Sequence, residues 1–146
     1  MSLKQWADNG WLREHTASRK EIAGLMSIVD RDLKDAAEDG ISADWRFGIA
    51  YNAVLKLCTI LLHASGYRPE KMLQHYRTIQ AMPLILGESR RDDADYLDAC
   101  RTKRNTVEYD MAGAATDADA EELLAFTTDL RKDVVGWLKK NHPGLL

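Results

Sequence analysis

An all-α fold is predicted for this 146-residue chain. Three observations predict it. Apolar residues recur at helical rather than strand spacing almost throughout. Only three prolines interrupt the pattern. Ser or Thr stands where apolar stripes begin, as helix caps require. The expected architecture is a single domain over residues 1–146, an antiparallel bundle of four to five long helices plus short ones, joined by turns of a few residues. Hydrophobic content of 45% and charged content of 29% are those of an ordinary globular chain long enough to bury a core. A formal net charge of -3 argues against a generally basic nucleic-acid binder but leaves room for a local basic groove.

Residues 1–15 read as an N-terminal arm or short helix. Ser2 to Asn9 presents Leu3 and Trp6 and stops at Asn9-Gly10. Trp6 and Trp11 are too large to leave in water, so the arm is expected to dock on the bundle or on a second subunit. The first long helix opens at Ser18, whose pairing with Glu21 predicts a capping box. Ile22, Leu25, Met26, Val29 and Leu33 form its apolar stripe. Asp30, Arg31, Asp32, Lys34 and Asp35 form its wet side, and Asp39-Gly40 ends it.

Ser42 caps a second helix through Ser65, with Gly66 as its stop. Trp45, Phe47, Ile49, Val54, Leu55, Leu57, Ile60, Leu61 and Leu62 point in nearly every direction, so this helix is expected to be the most buried. Its polar residues fall on one line, Asn52, Lys56, Thr59 and His63, a solvated seam or a groove. Asn52, Lys56 and Thr59 interrupt the apolar stretch from Phe47 to Leu62, which argues against a membrane span. No charged region followed by an apolar run opens the chain, so no signal peptide is expected.

Arg68-Pro69-Glu70 predicts the start of a third helix with proline in its first turn. Met72, Leu73, Tyr76 and Ile79 are placed inward, and Arg68, Lys71 and His75 on another face. Pro83 is expected to break this helix, leaving Leu84 to Gly87 as an apolar link. Ser89 caps the fourth helix, whose stripe is Leu97, Cys100, Val107 and Met111. Ala112 to Ala115 forms a turn. Thr116 caps the last helix, in which Leu123, Phe126, Leu130, Val134 and Trp137 face the core and His142-Pro143-Gly144 ends the run.

The fourth helix carries the candidate site. Arg104 fills a beat of the heptad that Leu97, Cys100, Val107 and Met111 otherwise keep apolar. A guanidinium among core positions costs several kcal/mol to desolvate unless it is paired or faces a wet cleft. Helical spacing brings Arg101 and Glu108 beside it and Asn105 one step further round, and Lys103 adds a third cation. The cluster contains no obvious nucleophile, so chemistry there would need Glu108 or Tyr109 as a base. Cys58 and Cys100 read as buried thiols of a cytosolic protein. C-x-x-C, H-x-x-x-H and H-E-x-x-H spacings are missing, so neither a metal nor a cofactor is expected.

Arg104-Asn105, followed by Glu108-Tyr109 near the end of a long helix, resembles the HEPN superfamily. The stretch from Tyr67 to Gly87, with His75-Tyr76-Arg77-Thr78-Ile79-Gln80 and Met82-Pro83-Leu84, is similar to one bacterial branch of it. The resemblance spans Ser18 to Leu138. It implies an antiparallel bundle that pairs into a two-fold dimer. In active HEPN ribonucleases an arginine, often followed by a polar residue, precedes a histidine by a few residues, and the paired motifs cut RNA without metal. Arg104 and Asn105 match the start of that motif; at the histidine positions stand Tyr109, Asp110 and Met111. A phenol does not exchange protons near neutral pH as an imidazole does.

The resulting expectation is a non-catalytic, HEPN-like homodimer that binds nucleic acid, a nucleotide or a partner protein, in a toxin–antitoxin-like or defence setting. Arg101, Lys103, Arg104, Asn105, Glu108, His63 and His75 are its expected binding residues. The alternative is a divergent metal-independent endoribonuclease, in which Arg104 steadies the phosphorane and His63 or His75 replaces the absent motif histidine in space.

Overall fold

The computed structural model describes residues 1–109 and 111–146, with only the backbone of residues 108 and 109. In chain order the elements are α1 (Leu3–Asp8), β1 (Leu12–Glu14), α2 (Arg19–Ala36), α3 (Ala43–Ala64), β2 (Tyr67–Pro69), α4 (Gln74–Gln80), α5 (Met82–Leu86), α6 (Arg91–Tyr109) and α7 (Asp117–Asn141). Single 3₁₀ turns at Glu88–Arg90 and Pro143–Leu145 precede α6 and close the described chain. The fold is all-α, a helical bundle with one minimal sheet.

α3 is the axis of the bundle, packing most extensively on α2 and α7 and also touching α4, α5 and α6. Its surround is legible in its composition: Val54, Leu57, Ile60, Leu61 and Leu62 have no exposed surface. Burying each such side chain contributes about 1.5–3 kcal/mol, so this one helix carries a large share of the core. By length and composition α3 could cross a membrane, contrary to the expectation from its polar interruptions. Most of that stretch is buried against other helices, as in the core helix of a bundle. Trp45 departs from the expected core: one turn into α3, it is 68% exposed.

Capping chemistry sets the starts of α2, α3 and α7 where predicted. Ser42 Oγ accepts from the Trp45 amide, and Thr116 and Asp119 form a full capping box on α7. Ser18 makes only its half of the expected box, accepting from the Glu21 amide. The Glu21 carboxylate turns instead to His15 and His63. On α2, Ile22 and Val29 are buried as expected, while Asp32, assigned to the wet side, is 4% exposed. Asn52 Nδ2 donates to Asp32 Oδ2 at 2.7 Å and the neighbouring Arg31 pairs with it, which is how a buried carboxylate is tolerated. Cys58 and Cys100 are both buried free thiols.

The largest difference from the sequence reading lies between residues 67 and 90. Tyr67–Pro69 pairs antiparallel with Leu12–Glu14, in the register Leu12↔Pro69, Arg13↔Arg68 and Glu14↔Tyr67. The proline that reads locally as a helix start sits at the end of a strand, and α4 begins only at Gln74. Met72 and Leu73, expected inward, are 81% and 55% exposed because they belong to the link between the two. Leu73 adopts a left-handed φ of 56°, which reverses the chain into α4. α4 does stop at Gln80, ahead of Pro83, but Pro83 lies in the first turn of α5, so Leu84–Leu86 is helical rather than a link. Ser89 lies inside the 3₁₀ turn, so it does not cap α6. At the far end of α6, Met111 is exposed rather than in the core stripe.

The N-terminal arm docks on the bundle as expected. Trp6 and Leu12 are buried with Leu62 and Ala81 in a second, smaller cluster. Trp6 and Trp11 meet edge to face with centroids 5.8 Å apart, and the Arg77 guanidinium of α4 lies 3.7 Å from the Trp11 ring centroid. Arm, sheet and α4 are thereby fastened together, and this places the groove described next.

Candidate functional site

The polar line of α3 opens onto a groove of about 350 Å³. α3 supplies Lys56, Thr59 and His63; β1 supplies Arg13; β2 supplies Arg68; and the link and α4 supply Lys71, Gln74, His75 and Thr78. Among the described residues that line it, none is acidic. The mini-sheet sets Arg13 directly opposite Arg68. Like charges facing each other across a strand pair are destabilising, so this pairing concentrates positive charge at a cost in stability. Just outside the lining, Arg13 Nε approaches Glu70 Oε1 at 3.6 Å, both groups well exposed, a weak restraint.

Gln74 and His75 also border a shallower hollow of about 230 Å³ with Leu73, Tyr76 and Arg101. Arg101 donates from Nε to Asp98 Oδ1 at 2.9 Å, and its guanidinium lies 5.9 Å from the Tyr76 ring centroid. His75 links the two hollows. Partial burial, and then the charges of Arg104, Lys56 and Arg101, hold its imidazole below the usual 6.5. The His63 imidazole is lowered too, first by burial and then by His15, with Glu21 opposing. Both rings are therefore mainly neutral at pH 7.

Arg104 is half-buried, with its guanidinium 5.8 Å from the Tyr51 ring centroid and Nη1 3.5 Å from Asn105 Oδ1. Burial pushes the Tyr51 phenol well above its ordinary pKa, although Arg101 and Arg104 pull the other way. Arg104 also walls another hollow, of about 690 Å³, in which Asp32 and Asn52 form a polar wall and the exposed Trp45 offers an aromatic face.

Of the residues the sequence singled out, His63 and His75 line the groove and His75 and Arg101 the shallower hollow, while Arg104 lines the hollow with Trp45 and its charge reaches His75. Asn105 is exposed beside Arg104. Lys103 points elsewhere: its Nζ lies 3.1 Å from Asp119 Oδ2 at the start of α7, bracing two helices. The side chains of Glu108 and Tyr109 lie outside the described residues. Sequence reasoning did not place Arg13, Lys56, Arg68 or Lys71 in the site. Lys56 was visible on the polar line, and Arg68 and Lys71 on the face shared with His75, but Arg13 joins them only through a strand pairing.

A second polar cluster was also missed. His15, the residue after β1, holds Glu21 by Nε2 contacts of 2.8 and 3.0 Å, and His63 Nδ1 lies 3.4 Å from Glu21 Oε2. Burial alone would raise the Glu21 carboxyl, but the hydrogen bond and charge of His15, then the charge of His63, hold it below its usual range.

No family model, curated protein or solved structure matches this chain.

Proposed function

We propose that the protein is a non-catalytic, HEPN-like RNA-binding homodimer whose basic groove holds the phosphodiester backbone of a single strand. The observation that supports this is the groove itself: cations from β1, β2, α3 and the link into α4 face one hollow that no described acidic residue lines. A chain with net charge -3 that gathers cations on one face has a local anion site rather than a generally basic surface. The resemblance of Arg104-Asn105 adds to this, and the exposed Trp45, which shares a separate hollow with Arg104, supplies a ring on which a base can stack. Two buried free thiols accord with a cytoplasmic location.

Fluorescence anisotropy with a labelled single-stranded RNA, in EDTA, tests the proposal. Log affinity is expected to fall with log salt at a slope of about -3, the value for roughly four neutralised phosphates on a single strand. Affinity is also expected to rise as pH falls from 7 towards 5, because the His63 and His75 imidazoles are held below the ordinary histidine range and gain charge only as the solution turns acidic. Failure to bind, or binding indifferent to salt, would overturn it.

A second reading is favoured by one observation, an exposed His75 imidazole in the groove that feels the Arg104 charge. Neutral His75 could take the proton of a 2′-hydroxyl as that oxygen attacks the adjacent phosphorus, while Arg104 steadies the phosphorane. The 5′-oxygen would then leave, taking a proton from water, and a 2′,3′-cyclic phosphate would remain. RNA that stays intact with the protein in EDTA supports binding alone; cleavage that disappears in His75→Ala supports the second reading.

The dimer is part of the proposal, with the Arg104 helices of the two protomers facing each other so that isologous pairing doubles the positive charge in one cleft. Light scattering at tens of micromolar, the range of a weak dimer (about 6–7 kcal/mol), is expected to give twice the mass of one chain. A monomer at that concentration would remove the dimer from the proposal.

A further inference from the structure

We infer that His15, Glu21 and His63 form a binding site for one divalent metal ion of the zinc class, with its remaining coordination position open. Three segments far apart in sequence converge here: the residue after β1, the first turn of α2 and the last turn of α3. One ligand atom from each lies within 4.8 Å of the others. A tetrahedral zinc ion with bonds of about 2.0–2.1 Å has ligand-to-ligand edges of roughly 3.3 Å. The His63–Glu21 separation of 3.4 Å already matches that edge, and the His15–Glu21 separations of 2.8 and 3.0 Å need only small adjustment.

The alternative, a carboxylate that merely bridges two imidazoles by hydrogen bonds, leaves features unexplained. His63 Nδ1 is buried and has no hydrogen-bond partner of acceptable geometry, although it lies close to Glu21. A ring nitrogen buried in this way is costly to leave unused, whereas a metal ion would take its lone pair. The His15 and His63 rings lie 4.5 Å apart by centroid, near enough for one ion to take a nitrogen from each. Glu21 also withdraws from the capping box that its position offers and faces the two rings instead. Two imidazoles and one carboxylate leave a fourth position for water or an incoming oxygen. His63 lines the basic groove as well, so the ion would sit at its edge.

The site holds no pair in the local spacings that mark metal motifs, which is why the sequence predicts no metal. It is independent of the RNA reading: RNA binding is measured in EDTA, and the metal in the absence of RNA.

The test uses the whole chain, stripped with EDTA and titrated with Zn²⁺ by calorimetry and with Co²⁺ by visible absorption. The expected result is one ion per chain, visible d–d bands of low-coordinate cobalt, and a melting temperature raised by roughly 5–10 °C when free Zn²⁺ is a hundredfold above its Kd. His15→Gln and Glu21→Gln are each expected to abolish the cobalt bands and weaken Zn²⁺ binding by more than tenfold, while His142→Gln, at the far end of α7, changes neither. Melting of each variant in EDTA establishes that it is folded. No one-to-one binding, or binding that survives both ligand substitutions in folded protein, would overturn the site.

Discussion

Arg68→Glu combined with Lys71→Glu is expected to weaken single-stranded RNA binding by about a hundredfold or more at 0.15 M salt, without loss of fold. Arg68 and Lys71 are both exposed, and both line the groove. Each reversal removes one attraction and installs one repulsion, so the pair changes the local charge by four units. At about 4 Å in water a unit charge pair is worth roughly 1 kcal/mol, and screening lowers that figure. Four such changes amount to about 3 kcal/mol, or two decades in affinity. The melting temperature should hold or rise slightly, because Arg68→Glu replaces the repulsion opposite Arg13 by attraction. Lys139→Glu with Lys140→Glu, at the end of α7, is the control for net charge and should have a small effect that vanishes with added salt. Equal losses in the two double variants would mean that RNA meets the protein's overall charge, and the groove would lose its role.

The helices that the sequence shows well are those whose reasons are local. α3 is apolar on most sides and is buried on most sides; Ser42 and Thr116 cap because the hydroxyl and the orphan amide belong to the same turn. The stretch from Arg68 to Leu73 misleads for the opposite reason. Its proline and glutamate satisfy the local rule for a helix start, but Tyr67–Pro69 finds β1 some fifty residues earlier, and that pairing prevails. The site divides in the same way. Arg101, Arg104 and His75 are legible because helical spacing and an interrupted heptad mark them. Arg13 and the His15–Glu21–His63 cluster depend on chain segments meeting in space, as does the diversion of Lys103 to Asp119. Asp32 is the clearest instance: on its own helix it continues a run of charges, yet Asn52 of α3 reaches over and makes its burial tolerable.

Arg104→Met is expected to leave the melting temperature within about 2–4 °C of the parent, a change of 1 kcal/mol or less for a chain of this size, while RNA affinity falls by about tenfold, the equivalent of 1.4 kcal/mol. Methionine keeps much of the stem's packing against the Tyr51 side of α3 and removes only the charge. If the guanidinium were chiefly structural, its removal would break a buried polar arrangement at about 3–5 kcal/mol, a fall of roughly 6–20 °C. Arg104→Ala adds a packing defect, so the difference between the two variants isolates the stem from the charge. A third readout separates a site residue from a brace. The Arg104 charge is one of the causes that hold the His75 imidazole below 6.5, so its loss should move the His75 titration upward. Proton NMR of the His75 ring through a pH series measures this directly. An upward shift with weakened RNA binding and preserved melting places Arg104 and His75 in one functional face. A large fall in melting temperature with His75 unmoved would make Arg104 a strut of the bundle and leave the groove to Arg13, Lys56, Arg68 and Lys71.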